Sequence, residues 1–186
     1  MRIIGGEFKG RKIYLPKDRN TRPLRDLVKE SIFNLIEYSN KFNTSILNSK
    51  VLDLFSGTGS FGLECLSRGA KFITFVENYP YALNILKKNI SKMDALLLSE
   101  VIEINCIDLI NEKKKFLKKF DIIFLDPPFK DKNINLLINQ IINQKILNEN
   151  GIILIHRHKM DDIEITSKLN ILDNRKYGIS KIIIGN

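Results

Sequence analysis

Short apolar runs recur along the chain with helix-length segments between them, and this alternation limits the fold more than any other feature. The runs are VLDLF at 51–55, FITFV at 72–76, EVIEIN at 100–105, DIIFL at 121–125 and GIILIH at 151–156. They are rich in β-branched and aromatic residues, so they read as strands buried on both faces. Between them, Ser60–Ser67 predicts a helix stopped by Arg68-Gly69, and Tyr79–Met93 predicts a second. A charged helix is expected at about 109–118, and another over 133–146, ending near Asn150-Gly151. Strands alternating with helices in this way form parallel β-α-β units. The tail breaks the pattern. LNILDNRKYGISKIII carries two strand-like pieces around Tyr177-Gly178, which predicts an antiparallel hairpin closing the sheet. The expected fold is therefore α/β, a mostly parallel seven-stranded sheet with a C-terminal antiparallel hairpin.

A chain of 186 residues suits one domain with a full core. Residues 1–20 read as a basic arm of that domain, and residues 21–186 as its body. The pieces RIIGG and RKIYL predict a β-hairpin in the arm. Thr21-Arg22-Pro23 reads as a helix start, with Pro23 in the first turn. That helix runs to about Tyr38 and places Leu27, Ile32, Leu35 and Ile36 near one face. The formal net charge is +9, and the first 30 residues are visibly basic. Such a balance suggests a polyanionic partner, nucleic acid or a membrane surface. Cys65 and Cys106 sit in apolar runs without metal-site spacing, so buried free thiols are expected. MRIIGGEFKGRK has no apolar signal region, and no run approaches the roughly 18 apolar residues of a membrane span. The expected setting is the cytoplasm.

The first chemistry-bearing stretch is VLDLFSGTGSFG, a strand, a loop with Gly57, Gly59 and Gly62, and a helix. Glycines in that context let a backbone turn tightly and approach a nucleotide. Glu77, at the end of the next strand, stands where an acid binds ribose hydroxyls. These residues alone admit both NAD and S-adenosylmethionine (SAM), since each carries an adenosine. Asp53 shifts the balance. A pyrophosphate disfavours a carboxylate before the glycines, whereas the ammonium group of SAM favours one. Asp53 could also merely cap the turn.

The second stretch is Asp126-Pro127-Pro128-Phe129, beyond the fourth run. Loops past the carboxyl ends of parallel strands are where such folds place ligands. Two prolines stiffen the backbone and remove N–H donors. What is left is a carboxylate, a carbonyl and a ring. An exocyclic amine on a planar base needs two acceptors and a stacking face. Asp126 and the Pro127 carbonyl can supply the acceptors, and Phe129 the face. A plain strand-to-helix turn is the simpler account of DPPF taken alone. His156 and His158 are expected to be strand-end histidines, and Tyr38, Tyr79 and Tyr81 packing residues.

The DLFSGTGSFG loop paired with DPPF resembles the SAM-dependent amino-methyltransferases of the N/D-P-P-Y/F type. The chain is most similar to the RsmD family, bacterial methyltransferases acting on guanine N2 in 16S ribosomal RNA. The resemblance is carried by RIIGGEFKGRKI, TRP at 21–23, LDLFSGTGSFGLECLSRGA, Glu77, Asp108, FDIIFLDPPF and Arg175-Lys176-Tyr177-Gly178. It covers nearly the whole chain. One departure is local: Leu24 and Arg25 follow TRP, and Leu27 follows Asp26, where the family commonly has small hydroxyl residues and an Asp-Arg pair. The resemblance implies a class I SAM-dependent methyltransferase fold, Rossmann-like, acting as a monomer without a metal. It implies that Asp53, Phe55, Gly57 and Gly59 surround the methionine end of SAM, that Glu77 takes the ribose and that Asp108 sits by the adenine. Asp108 could equally be a helix N-cap. Asp126, Pro127 and Phe129 would be catalytic, and Arg11, Arg22 and Pro128 would face the RNA, presented in a small ribosomal subunit or an assembly intermediate.

Other functions fit parts of the sequence. DPPF also suits an amino-methyltransferase acting on adenine N6 or on glutamine. The glycine loop alone would suit a nucleotide-linked oxidoreductase, and the basic arm a non-catalytic RNA-binding assembly factor.

Overall fold

The computed structural model describes residues 1–16, 24–111, 118–129, 131–162 and 164–186. Seven strands form one sheet: β1 Lys50–Leu54, β2 Phe72–Glu77, β3 Ser99–Glu103, β4 Phe120–Leu125, β5 Leu147–His158, β6 Ile171–Tyr177 and β7 Ser180–Gly185. Their order across the sheet is β3-β2-β1-β4-β5-β7-β6. β1 to β5 pair in parallel, and β7 joins β5 and β6 antiparallel. The expected sheet and its closing hairpin are both present. The chain builds outward from β1 on one side and then returns to β4 on the other. The switch point lies between β1 and β4, and folds of this kind place their ligand crevice there, outside the carboxyl ends of the strands.

Among the described residues five α-helices cross between or flank the strands: α1 Asp26–Tyr38, α2 Ser60–Ser67, α3 Pro80–Lys92, α4 Cys106–Asn111 and α5 Ile134–Asn143. One core cluster, around Ile32, Phe33, Phe61, Phe75 and Phe124, takes in α1, α2, α3 and the arm. The Phe61 ring is stacked between Phe33 and Phe124, with centroids 5.3 and 4.0 Å away, and so locks α1 and α2 to β4. The second cluster packs α4 and α5 on the other face, around Leu54, Ile123, Leu137 and Ile155.

Helix ends explain most of the differences from the expected boundaries. α2 stops at Gly69, with φ 90°, and Ala70 N–H bonds the Cys65 carbonyl at 3.0 Å. α3 and α5 stop the same way, but with Asp94 at φ 55° and Lys145 at φ 53° in the left-handed position. Lys145 and Ile146 N–H return to the carbonyls of Ile142 and Ile141, a Schellman closure. Glycine marks only the first of these stops, so the end of α5 lies well before Asn150-Gly151. β5 then starts at Leu147, opposite Phe120, with a register irregularity before Ile122 meets Ile152.

α1 starts at Asp26, not in the TRP stretch. Arg25 is extended, at φ −60° and ψ 144°, and offers no side-chain cap. Thr21, Arg22 and Pro23 lie outside the described residues. The buried face of α1 is Val28, Lys29, Ile32, Phe33 and Ile36, and Leu27 points to solvent at 68% exposure. The charged helix begins earlier than expected, at Cys106, and residues 112–117 fall outside the described part. Tyr38 and Tyr81 are exposed, at 80% and 67%, so they do not pack the core as expected. Among the described residues no helix is long and apolar enough to cross a membrane.

The arm is docked, not loose. Arg2 and Lys12 form an antiparallel bridge, and Ile3 N–H bonds the Arg11 carbonyl at 2.9 Å. Glu64 of α2 accepts the N–H groups of Ile4 and Gly5, each at 2.8 Å. The Lys29 ammonium lies 3.2 Å from Glu64 and donates to the Arg2 carbonyl at 2.7 Å. Lys29 and Glu64 are both fully buried.

Candidate active site

Strand register brings the acids together. Asp53 of β1 stands opposite Phe75 of β2 and Phe124 of β4. Glu77 and Asp126 therefore follow within two residues at the carboxyl ends of the flanking strands. The loop between β1 and α2 carries three left-handed residues in five, Phe55 (φ 60°), Gly57 (φ 55°) and Gly59 (φ 82°). A Cβ on Gly57 would meet nothing within 4 Å, so its backbone angle, not crowding, calls for glycine. Gly62 differs. A Cβ there would lie 2.3 Å from the Phe75 ring, so its role is the close approach of α2 to β2.

Two acids hold this loop from beneath. Gly57 N–H donates to Glu77 Oε2 at 2.7 Å, while Glu77 Oε1 accepts from Asn78 and Tyr79 at 2.9 and 2.8 Å. A carboxylate offers about four acceptor positions, so Glu77 has room for a further donor. Gly62 N–H donates to Asp53 Oδ2 at 3.0 Å. Asp53 is 1% exposed. Burial pushes its carboxyl well above the usual carboxylate range. The Gly62 N–H opposes that rise, and the charges of Asp126 and Glu77 add to it. Among the described residues no lysine or arginine forms an ion pair with Asp53 or Glu77. The crevice is thus an acidic spot on a basic protein, suited to a ligand that carries positive charge.

A buried donor also stands without a partner there. Ser60 Oγ, on the first residue of α2, has no hydrogen bond among the described residues. Asn89, fully buried on α3, ties the loop to the arm. Its side chain accepts from Tyr14 N–H at 2.8 Å and donates to the carbonyls of Tyr14 and Thr58 at 3.1 and 2.9 Å.

Asp108 lies in the first turn of α4 and is exposed. It is not the cap, because Asn105 Oδ1 accepts the Ile107 N–H at 2.9 Å. The two thiols are free and buried, as expected. Burial pushes Cys106 up to about 12, against the pull of its hydrogen bond with the Phe55 backbone.

Beyond β4, two neighbours on β5 organise the DPPF loop. His156 Nδ1 lies 2.7 Å from Asp126 Oδ1, and its Nε2 lies 2.8 Å from Ser180 Oγ on β7. Arg157 is 1% exposed. It donates to the carbonyls of Pro128 (3.3 Å), Phe129 (2.9 Å) and Asp131 (3.1 Å), and it pairs with Asp161. Among the described residues, nothing donates to Asp126 Oδ2 or to the Pro127 carbonyl. The Phe129 ring meets His156 and His158 edge-on, with centroids 5.7 and 5.3 Å apart. Pro128 is exposed. Arg11 is exposed, its guanidinium 4.7 Å from the Phe8 ring centroid, while Arg22 lies outside the described residues. Sequence reasoning missed Arg157, Ser180 and Asn89 and set His156 aside. Its one available signal was a run of three polar residues, His156-Arg157-His158, at the end of an apolar strand.

A family model described as conserved hypothetical protein 95 matches residues 1–186, the full length of the chain. The chain belongs to this family. It is the RsmD family that the motifs resemble. A protein of Haemophilus influenzae named ribosomal RNA small subunit methyltransferase D is 33% identical over 181 residues, covering 96% of this chain and 90% of its own. The protein of the same name from Buchnera aphidicola of Acyrthosiphon pisum is 36% identical over 161 residues, covering 87% and 80%. Among solved structures, Escherichia coli yhhF, described as a methyltransferase, superposes with a TM-score of 0.84 at 25% identity. That match covers 100% of this chain and 96% of the other. The two chains therefore share one fold.

Proposed function

We propose that this protein transfers a methyl group from SAM to the exocyclic N2 amine of a guanine in 16S ribosomal RNA. One observation carries the reading. With His156 on Asp126 Oδ1 and Arg157 on the carbonyls of Pro128 and Phe129, Asp126 Oδ2 and the Pro127 carbonyl are left for the two N–H bonds of an amine. The names of the relatives supply the RNA. The net charge of +9 and the exposed Arg11 and Pro128 favour the same partner; Arg22 lies outside the described residues and keeps only its sequence-based assignment to the RNA.

The residues of the glycine loop fit SAM better than a dinucleotide. Asp53 and Glu77 lack cationic partners among the described residues and would draw a positively charged cofactor, whereas a pyrophosphate would be repelled. Phe55, Gly57 and Gly59 would enclose its methionine end, and Ser60 Oγ would find a partner there. Glu77 would take the ribose, and Asp108 would sit by the adenine. SAM held there would supply an electrophilic methyl group on its sulfonium, with the broken bond's electrons staying on sulfur. Asp126 and Pro127 orient the amine so that its lone pair faces that methyl group. Phe129 stacks on the base. Asp126 then stabilises the charge that grows on nitrogen and takes the released proton. A base inside a duplex cannot reach the loop, so the guanine is unstacked. We read the substrate as a small subunit or an assembly intermediate, and the enzyme as a cytoplasmic monomer.

Tritiated methyl transfer to small subunits from a strain lacking the enzyme tests this. Labelled N2-methylguanosine is expected, and labelled N6-methyladenosine would overturn the substrate. Thermal melting with SAM, its demethylated product and NAD tests the cofactor. Stabilisation by NAD alone would end the SAM reading.

A further inference from the structure

We propose that His156 is a positioning residue for methyl transfer, holding Asp126 so that Oδ2 faces the target amine. The proposal rests on the amino-methyltransferase reading above. A carboxylate on a single methylene can turn about its last bond, and only one of its oxygens can serve the amine well. His156 removes that freedom by bonding Oδ1 at 2.7 Å. An ionised carboxylate only accepts, so Nδ1 carries the proton. Nε2 lies 2.8 Å from the Ser180 hydroxyl, which can donate to an unprotonated Nε2 or accept from a protonated one. The ring is thus gripped at both nitrogens.

Burial makes the grip firm. His156 and Ser180 are 7% and 4% exposed, so neither can exchange its partner for water without cost. Ser180 is delivered by the antiparallel register that sets His156 opposite Ile182 and His158 opposite Ser180. The Phe129 ring edge lies against the imidazole. Asp126, which keeps 21% of its side chain exposed, is the one member of the chain that reaches the crevice. Ser180, His156 and Asp126 therefore run as a fixed relay from the closing hairpin to the amine site, beside the carbonyl clamp of Arg157.

H156A, H156N and H156Q test this against the wild type. An asparagine amide can occupy the place of Nδ1 and donate to Asp126, and a glutamine amide reaches the place of Nε2. H156A is expected to lose about 100-fold in kcat, with the KM for SAM and its calorimetric affinity within about twofold. H156N should regain at least about tenfold of that loss, and H156Q much less. Full activity in H156A overturns the proposal, as does H156N no faster than H156Q. If H156A does not fold, the H156N and H156Q pair decides alone. Nitrogen-15 spectra of the wild-type ring give an answer that needs no RNA substrate. A ring protonated at Nδ1, with signals that move in D126N, supports the proposal, and a neutral ring protonated only at Nε2 overturns it. If wild-type protein binds SAM but labels no small-subunit RNA, the substrate reading fails, and the ring spectrum still judges the positioning role.

Discussion

Arg157 and Lys29 are the two largest fully buried side chains among the described residues, and each carries a charge. Lys29 on α1 meets a full opposite charge, Glu64, and Glu64 also pairs with Arg68 and accepts two N–H groups of the arm. That network joins α1, α2 and the first five residues, and no part of it reaches the crevice. Arg157 on β5 pairs with Asp161 and spends its remaining donors on three carbonyls of one loop. A buried ion pair resists separation, so it serves as a structural joint. A guanidinium fanned over carbonyls gives a proline-rich loop a shape that its own backbone, poor in N–H groups, cannot enforce. The buried charge on the arm side thus joins elements of the fold, and the one on the β5 side shapes a single loop.

The largest effect should come from the arm side. E64A leaves Lys29 and two N–H groups without their shared acceptor, and should cost about 3–5 kcal/mol in urea denaturation. Transfer by the remaining folded protein should change far less; an activity loss exceeding the stability loss would break the comparison. D126A should do the opposite. We expect transfer to fall about 100- to 1,000-fold, or roughly 3–4 kcal/mol in the barrier, with SAM affinity nearly unchanged and a stability loss well below that of E64A, from His156 left without its partner.

Asp53 lies between the two regimes. D53N should weaken SAM binding by about tenfold or more, measured by calorimetry. Its effect on the fold depends on pH. Because burial raises the folded carboxyl above its ordinary 3.8, the native state holds this proton longer than the unfolded chain. That contribution is full below 3.8 and is lost as pH rises through the raised value. Asparagine resembles the protonated acid, so the stability of D53N relative to wild type should grow across that window. A flat difference would remove burial as the cause.

The smallest effect concerns Lys29. Burial lowers its folded value below the ordinary 10.5, with Glu64 opposing the shift. Between those two values the unfolded chain binds more protons, so wild-type stability should rise with pH there. K29M should lack this rise. Equal slopes would mean that Lys29 remains charged throughout and that the joint is stronger than its burial suggests.

The readable parts of the molecule were local ones. VLDLFSGTGSFG announces its strand, turn and helix within twelve residues, and glycine occupies two of the three left-handed positions. Asp126-Pro127-Pro128-Phe129 likewise shows its acceptors and ring in four consecutive residues. Where the same backbone angle is filled by Asp94 or Lys145, the stop signal vanishes and the helix boundary shifts. The exposure of Leu27 was misread because Lys29 looks polar in sequence yet faces the core.

Alternating apolar runs determined the parallel sheet, because a buried strand and a crossover helix each impose a period on their own residues. The same runs, with the glycine loop and DPPF, carried the expectation of a nucleoside cofactor and an amine substrate at the strand ends. Tertiary structure alone decided which partners finish the site. His156 and Asp126 are 30 residues apart, His156 and Ser180 are 24, and Gly5 and Glu64 are 59. No periodicity links such positions. They meet only once strand order, antiparallel register and arm docking are set, and a buried polar group then bonds whatever donor or acceptor the packing leaves within reach.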